Sequence, residues 1–238
     1  NALGDTAIVE FENESDEISE LLRLEGRVAE RAIDLPLARE LYRRSVEVNP
    51  LNGKGWQDLA KSEGRIKGGL RRSATILRKA LDINPSNAYL WQSLGFLEFR
   101  MGEHDLARSI FKSGLECDPT HAPIYSTWAR MEGNLGNYSQ ARDLFERGAR
   151  ADPKCARLFY TWGVMEQGLG NVGRADDLFQ KGLESDPDNS YIWQSLGTIA
   201  VDNGRTDYAR TCFERALSGD MKNIAVLDHW GRLEARLG

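Results

Sequence analysis

Prolines recur at an almost fixed interval along this 238-residue chain, and this spacing constrains its fold more than any other feature. Each proline follows an Asn or Asp, and successive members of the series are 35, 34, 34 and 34 residues apart: Pro50, Pro85, Pro119, Pro153 and Pro187. Asp220 and Met221 continue the series with the proline replaced. A fixed period of this length indicates stacked copies of one supersecondary unit.

The residues within each period follow helical spacing. The sixth and ninth residues after each proline position are apolar or aromatic and the tenth is Ala or Gly, which places all three on one face of a helix. A glycine ends this first helix, and a second helix follows it, in four of the periods: Gly102, Gly136, Gly170 and Gly204. One helical hairpin cannot bury both its faces, so the pattern predicts an all-α, right-handed solenoid of stacked hairpins.

The domain organisation follows from the extent of the repeat. We expect an N-terminal lead-in over residues 1–16 and a repeat array over residues 17–238, with five complete hairpins and a lone first helix. The chain starts at Asn1 and stops within a unit, so we expect a fragment of a longer protein. The lone helix carries Leu227, Trp230 and Leu233 on one face, and we expect self-association through this truncated C-terminal end.

The positions of small, aromatic and proline residues resemble the tetratricopeptide repeat from about residue 17 to the end. Two further columns resemble the half-a-tetratricopeptide (HAT) family: Glu63, Glu98, Glu132, Glu166 and Glu234 in the first helices, and Arg39, Arg108, Arg142 and Arg210 in the second. The resemblance implies that this Glu and Arg meet inside a hairpin, as Glu98 with Arg108 and Glu132 with Arg142. Asp176 stands where Glu166 would find its arginine, so we expect Glu166 to lack an arginine partner.

No constellation of catalytic residues stands apart from the repeat pattern, so we expect no enzyme activity, no cofactor and no small-molecule substrate. The three cysteines have no C-x-x-C spacing and the three histidines are scattered, so we expect no structural metal. The letters GLGNVG at 168–173 match a dinucleotide fingerprint, but Gly170 belongs to the series of hairpin glycines rather than to a strand-to-helix turn.

Charge on the predicted concave face differs from charge on the whole chain. In tetratricopeptide-like arrays the ligand-facing residues lie 4, 7, 8, 11, 14 and 15 positions after the proline, and here these positions carry eight basic and three acidic side chains. The basic residues are Lys54, Lys61, Arg65, Arg100, Arg130, Arg157, Arg232 and Arg236, and the acidic ones are Asp58, Asp202 and Asp228. The groove is therefore predicted to carry +5 in a chain whose net charge is −5.

A column of polar side chains and tyrosines lies on the same predicted face. The heptapeptides YLWQSLG (89–95) and YIWQSLG (191–197) repeat it in the same geometry three periods apart. Their tryptophans, with Trp128 and Trp162, are predicted to pack in the core. Equivalent polar groups at a fixed rise suit single-stranded RNA, with side chains on base edges and basic residues on phosphates. The predicted RNA-binding residues are Lys54, Gln57, Lys61, Arg65, Tyr89, Gln92, Arg100, Ser126, Arg130, Arg157, Tyr160, Tyr191, Gln194 and Arg232.

Regular 34-residue units that close in Asp-Pro, with tryptophan-rich first helices, resemble a plastid branch of the HAT family. The resemblance implies binding to the 5′ untranslated region of a photosystem II transcript, protection of that end from exonucleases, and promotion of its processing and translation. It also implies a location in the chloroplast, in the stroma or on its membranes. The alternative is a protein–protein interaction scaffold in an RNA-processing complex, with a nuclear location, because most tetratricopeptide arrays bind proteins.

Overall fold

The structure is a computed structural model that describes residues 2–219 and 224–237, and within these ranges it contains α-helices and no β-strand. The helices are α1 (Ala2–Arg31), α2 (Leu35–Val48), α3 (Gly53–Gly64), α4 (Leu70–Ile83), α5 (Ala88–Arg100), α6 (His104–Cys117), α7 (Ala122–Asn134), α8 (Tyr138–Ala151), α9 (Ala156–Gly168), α10 (Val172–Ser185), α11 (Ser190–Asp202), α12 (Thr206–Gly219) and α13 (Ile224–Leu237). The all-α repeat fold predicted from the sequence is confirmed. No helix in the described ranges has the length and apolar character needed to cross a membrane.

The chain divides into two compact units, Asn1–Pro119 and Thr120–Gly238. Consecutive helices pair into hairpins, α1 to α6 in the first unit and α7 to α12 in the second, and α13 packs on α11 and α12. The described ranges thus hold six hairpins rather than the predicted five, because α1 and α2 form a pair upstream of the first proline. Helix α1 also runs without a break through the predicted boundary at residue 16. The sixth proline position, 220–221, lies outside the described residues.

Left-handed glycines form the predicted turns between first and second helices. The φ angles of Gly102, Gly136, Gly170 and Gly204 are 86°, 82°, 78° and 68°, which are values that residues with a side chain rarely adopt. After Gly170, the amide of Asn171 donates to the carbonyl of Glu166 at 2.9 Å and closes the end of α9. The GLGNVG segment is therefore a hairpin turn between two helices, and the dinucleotide alternative is excluded.

Small residues set the distance between successive hairpins. A methyl group added to Gly182 on α10 would lie 2.5 Å from Cδ1 of Ile192 on α11. Gly148 on α8 is crowded in the same way by Leu158 of α9 and by Cβ of Tyr125, at 2.8 Å from the latter. Leu158 and Ile192 are both 0% exposed. At these two junctions the fifth residue after the proline thus fills a space that exists because the preceding second helix has glycine there.

The tryptophans pack as predicted, and their indole groups follow two patterns. Where the tryptophan is the sixth residue after the proline, Nε1 donates to the proline carbonyl; the Trp56–Pro50, Trp91–Pro85 and Trp193–Pro187 distances are 2.8, 2.7 and 2.7 Å. Where it is the ninth residue, Nε1 donates to a glutamate one turn later; the Trp128–Glu132, Trp162–Glu166 and Trp230–Glu234 distances are 2.9, 3.1 and 3.0 Å. Trp56 and Trp162 are buried and the other four are half-buried, and each indole N–H donates to a residue of its own repeat.

The prediction that Glu166 lacks an arginine partner is wrong. Its carboxylate, which is 0% exposed, accepts hydrogen bonds from Nε and Nη2 of Arg142 at 2.7 and 2.8 Å. Arg174 approaches the same carboxylate at 3.6 Å, and Asn171 donates to it at 2.8 Å. The physical reason is direction: the Arg142 side chain on α8 points toward the next hairpin, so the identity of residue 176 does not decide whether Glu166 is paired.

Two further arginine–glutamate pairs also connect successive hairpins, whereas Arg72 of α4 approaches Glu63 of α3 at 3.7 Å within one hairpin. Arg210 of α12 donates from Nε and Nη2 to Glu234 of α13 at 2.7 and 2.8 Å. Glu98, expected to meet Arg108 of its own hairpin, instead pairs with Arg78 of the preceding one. At the α8–α9 junction the ion pair accompanies the close contact at Gly148.

The Glu166 carboxyl is strongly stabilised in its ionised form. Hydrogen bonds from Arg142, then from Asn171 and Trp162, outweigh burial and lower the pKa of Glu166 to about 2. At Glu98 the balance is reversed, because burial raises the pKa above its usual value despite the charge of Arg78. The Arg142–Glu166 junction is the one we expect to dominate stability in acid.

We expect Glu166→Gln to lower the free energy of unfolding at pH 7 by about 2–4 kcal/mol, since it leaves Arg142 with a neutral partner. Ionised Glu166 stabilises the fold above the unfolded-state pKa of about 4.3, and this stabilisation is lost as pH falls toward 2. Urea titrations of both proteins between pH 7 and pH 2 should therefore converge in acid. Glu234→Gln is the matched control, because its side chain is 43% exposed and solvent screens the pair. Equal losses from Glu234→Gln and Glu166→Gln would show that burial does not set the strength of these ion pairs.

A second prediction concerns the glycine contact. Gly148→Ala should lower the free energy of unfolding by roughly 1–3 kcal/mol, because the new methyl group overlaps Leu158 and Tyr125. Gly173→Ala is the control, since no atom lies within 4 Å of the added carbon on that helical residue. It should be neutral or stabilising by up to about 1 kcal/mol. Thermal unfolding followed by circular dichroism distinguishes the two, and an equal response would rule out close approach as the cause.

Candidate functional site

A groove of about 470 Å³ in the second unit is formed by α7, the start of α8 and α9. Its lining residues are Arg130, Gly133, Asn134, Tyr138, Tyr160, Thr161, Val164, Met165, Gly168 and Leu169. Most of them occupy the predicted ligand-facing positions of two consecutive first helices. The structure thus brings Arg130 and Tyr160, both predicted from the sequence, into one site.

The electrostatic character of this groove comes from arginine. Arg130 carries the only charge among the described residues that line it, and Arg157 lies exposed at the start of α9. Burial lowers the pKa of Arg130, and the nearby charge of Arg157 lowers it further. Two guanidinium groups this close create a positive potential, which favours a carboxylate or a phosphate on a bound partner.

Tyrosines provide the aromatic part of the groove. The half-buried ring of Tyr160 lies 5.9 Å from the ring of Tyr191, centroid to centroid, at an interplanar angle of 48°. Burial raises the pKa of Tyr160, so its hydroxyl stays protonated and can donate a hydrogen bond. Tyr191 is 60% exposed. Nothing lies within 4 Å of a Cβ atom added to Gly168, so the groove is open at that residue.

The groove of the first unit has a different charge. It measures about 640 Å³, and Asp16 and Glu20 of α1 line it together with Lys54, Gln57 and Tyr89. The predicted charge counted residues only after Pro50 and so omitted the carboxylates of α1. In the first-unit groove the exposed Asp16 and Lys54 lie in one cleft, and the carboxylate of Glu20 forms an ion pair with Arg23 of α1 at 2.6 Å.

Two more of the predicted basic residues are engaged in ion pairs. Arg65 of α3 pairs with Glu30 of α1, and Arg232 pairs with Asp228 at 2.9 Å within α13. Lys61 and Arg100 are exposed on α3 and α5. The side chains of Arg236 and Leu233 lie outside the described residues. The predicted positive charge is therefore offset by Glu30 of α1 at Arg65 and by Asp228 at Arg232.

The polar side chains at the seventh position after each proline do not form one continuous surface. Nε2 of Gln57 donates to the carbonyl of Tyr89 at 2.9 Å and to Oγ of Ser93 at 2.7 Å, which ties α3 to α5. Ser126 is only 4% exposed, since a side chain this short does not reach the surface that Tyr160 reaches from the equivalent position. Gln92 and Gln194 are half-buried, and Tyr89 is 57% exposed.

Eight of the ten residues that line the second-unit groove are absent from the predicted site, among them Tyr138, Val164 and Met165. Val164 occupies a ligand-facing position, but its side chain is neither charged nor polar. Met165 lies beside it on α9, and Tyr138 begins α8, outside the first-helix positions altogether. Tyr138 is 40% exposed and Val164 is 43% exposed. The sequence signal for Tyr138 is an aromatic residue directly after the glycine and asparagine of the hairpin turn.

Cysteine chemistry does not define a site in the described residues. Burial raises the pKa of the Cys155 thiol and raises that of Cys212 to about 11, so both stay protonated near neutral pH. Cys117 is exposed. No three His, Cys, Asp or Glu side chains in the described ranges come together in a way that would hold a metal ion.

Comparison with known proteins agrees with the geometry. Residues 127–190 match one tetratricopeptide repeat family model and residues 178–211 match another. PilW, a widely conserved type IV pilus biogenesis factor, is similar in structure, with a TM-score of 0.62, 17% identity, and coverage of 89% of this chain and 97% of that one. The chain is a tetratricopeptide-like helical-repeat protein. No curated protein sequence matches it significantly.

Two further structures resemble the tetratricopeptide-like array. A tetratricopeptide repeat protein from Parabacteroides merdae ATCC 43184 has a TM-score of 0.58 and 17% identity, with coverage of 93% of this chain and 87% of that one. In the APC/C hetero-tetramer Cut9–Hcn1 the TM-score is 0.61 and the identity 15%, with coverage of 94% of this chain and 45% of that one. At these identities the likeness establishes the fold and leaves the ligand to the local chemistry of the grooves.

The geometry predicts different roles for two glutamines at equivalent positions of the tetratricopeptide-like array. Gln57→Ala should lower the free energy of unfolding by about 1 kcal/mol, because it removes hydrogen bonds between α3 and α5. The side chain of Gln194 makes no such hydrogen bond within the described part of the chain, so Gln194→Ala should change stability by less than about 0.5 kcal/mol. Chemical denaturation measures both. Equal losses would show that the interhelix bonds of Gln57 do not stabilise the fold.

Proposed function

We propose that this protein is a non-catalytic interaction scaffold whose second-unit groove binds an extended segment of a protein partner. The observation that supports this most strongly is the convergence of Arg130, Tyr160 and Val164 from neighbouring first helices, with Tyr138 at one edge. Sites that bind peptides combine an apolar surface with a few polar groups that fix orientation. The groove has both.

The chemistry of the groove selects the kind of segment. Arg130 and Arg157 favour an acidic group, while Tyr138, Val164 and Met165 favour an aliphatic or aromatic side chain next to it. The expected partner segment is therefore extended and pairs an Asp or Glu with an apolar residue. Similar folds in a hetero-tetramer, Cut9–Hcn1, and in a pilus biogenesis factor, PilW, are compatible with a role in assembly.

Single-stranded RNA is the second candidate, and a specific observation favours it. The tilted rings of Tyr160 and Tyr191 next to Arg130 and Arg157 could stack bases and bind phosphates. The HAT-type roles belong to this candidate: a 5′ untranslated region as target, protection of a transcript end, and a chloroplast location. The exposed carboxylate of Asp16 in the first-unit groove opposes a phosphate backbone there, and the seventh-position side chains Gln57 and Ser126 are not available to read bases, which is why the protein partner is preferred.

Parallel selections separate the two candidates. The purified chain is offered a phage-displayed library of random peptides and, separately, a random RNA pool. The proposal expects an enriched acidic-apolar peptide motif and no enriched RNA motif. An RNA motif without a peptide motif would replace the scaffold with the RNA candidate, and enrichment of neither would contradict both.

We expect Arg130→Ala to weaken binding of the selected peptide about fivefold or more, because truncating a central charged anchor typically removes over 1 kcal/mol. Arg100→Ala is the matched control, since Arg100 is exposed on α5 of the other unit. Fluorescence anisotropy at two salt concentrations gives both the affinity and its charge dependence. If RNA is the ligand, Arg130→Ala should reduce the slope of log affinity against log salt by about one unit. Equal effects of Arg130→Ala and Arg100→Ala would place the binding surface elsewhere.

A further inference from the structure

One junction of the second unit lacks the ion pair that its neighbours have. Across the α8–α9 junction Arg142 reaches Glu166, which follows it by 24 residues. The same spacing across the α10–α11 junction joins Asp176 to Ala200, so both members of the pair are replaced. The ion pairs of the described residues include none between α10 and α11.

The carboxylate of Asp176 is left unsatisfied at this junction. Its Oδ1 atom is buried and has no hydrogen-bond partner among the described residues. The guanidinium of Arg205, just before α12, lies over the ring of Tyr208 at 5.2 Å, and Nε2 of Gln180 lies 3.5 Å from the Tyr208 hydroxyl. A buried carboxylate oxygen without a donor destabilises the arrangement that buries it, whereas contact with water restores its hydrogen bonds.

Apolar contacts hold the α10–α11 junction together instead. Phe179 and Leu183 of α10 share one buried cluster with Ile192 of α11 and Cys212 of α12. Such contacts are non-directional, whereas an arginine that makes two hydrogen bonds to a carboxylate fixes the relative orientation of two helices. The α11–α12 hairpin is therefore less constrained against α10 than α9 is against α8.

We propose that the α10–α11 junction is the hinge of the second unit, at which the α11–α12 hairpin tilts away from α7–α10 and exposes Asp176 to water. Tyr160 lies on α9 and Tyr191 on α11, with ring centroids 5.9 Å apart, so the tilt moves Tyr191 relative to the groove. This effect on the groove rests on the proposed function, since it lets the aromatic wall adjust to a bound segment. The hinge itself does not depend on any ligand.

Cys212 provides a reporter of the hinge in the chain as it stands. Its side chain is 0% exposed in the cluster with α10, so a thiol reagent reaches it only when the junction opens or the chain unfolds. Helix α13 packs on a different face of α12, where Val226 shares a cluster with Phe213. Fraying of α13 therefore leaves Cys212 covered.

Alkylation with N-ethylmaleimide at increasing urea concentration, quantified for each cysteine by mass spectrometry, tests the hinge. Opening of one junction exposes little surface, so the alkylation rate of Cys212 should be nearly constant at low urea and should rise steeply only when global unfolding takes over. Exposed Cys117 is the internal control for the reagent. If Cys212 reacts only through the steep, global route, the hinge proposal is wrong, and the proposed peptide-binding function is unaffected.

Variants at Asp176 test the cause of the opening. Asp176→Ala should slow the low-urea alkylation of Cys212 at least about threefold, because it removes the group that opening hydrates. Asp177→Ala is the matched control, since it removes the same charge from an exposed neighbour and should leave the rate unchanged. Loss of a nearby carboxylate favours the reactive thiolate, so a slower reaction cannot be an effect of charge on the thiol.

A restored ion pair gives a second, independent variant. Asp176→Arg combined with Ala200→Glu recreates the pair of the α8–α9 junction and should slow the low-urea alkylation of Cys212 further. Circular dichroism checks that this double variant is folded; if it is not, Asp176→Ala decides alone. Equal low-urea rates for the original chain and the folded variants would overturn the proposal.

Discussion

The distance between successive hairpins depends on glycines, which have no Cβ atom, at the points of closest approach. Gly148 and Gly182 have no side chain where Leu158 and Ile192 insert, and even one added carbon would overlap a neighbour. Hairpins can therefore approach closely enough for Arg142 to reach the buried carboxylate of Glu166. A buried carboxylate is costly to desolvate, so this pair is favourable only because the close approach gives it several hydrogen bonds.

The same spacing produces the groove. Because α7 and α9 pack directly on each other, side chains at equivalent positions of the two helices face one cleft, and Arg130 comes next to Tyr160 and Val164. Buried residues fix the positions of the helices, and the residues that face the cleft are available to bind a ligand. One residue can do both: the side chain of Gln57 lines a groove and also joins α3 to α5 by hydrogen bonds.

Much of this architecture is readable from the sequence because local signals agree with each other. Prolines end the second helices, glycines such as Gly170 turn the chain, and small residues mark close packing. The first hairpin gave a weaker signal, since its turn uses Ile33, with a φ of 66°, where later turns use glycine. The partner of Glu166 was missed because Arg142 and Arg174 lie on second helices on either side of it, and spacing along the chain does not show which way each side chain points.

The grooves argue against a polymer that is read one unit per repeat. Such recognition needs the same chemistry at the same position in successive repeats. The seventh position instead holds Gln57 in an interhelix hydrogen bond, Ser126 in a buried site and Tyr160 in an open groove. The equivalence suggested by the heptapeptides at 89–95 and 191–197 does not extend to the repeats between them. Charge also differs locally, with carboxylates around Lys54 and arginines around Tyr160. A surface this uneven is better matched to one partner segment with its own order of acidic and apolar side chains.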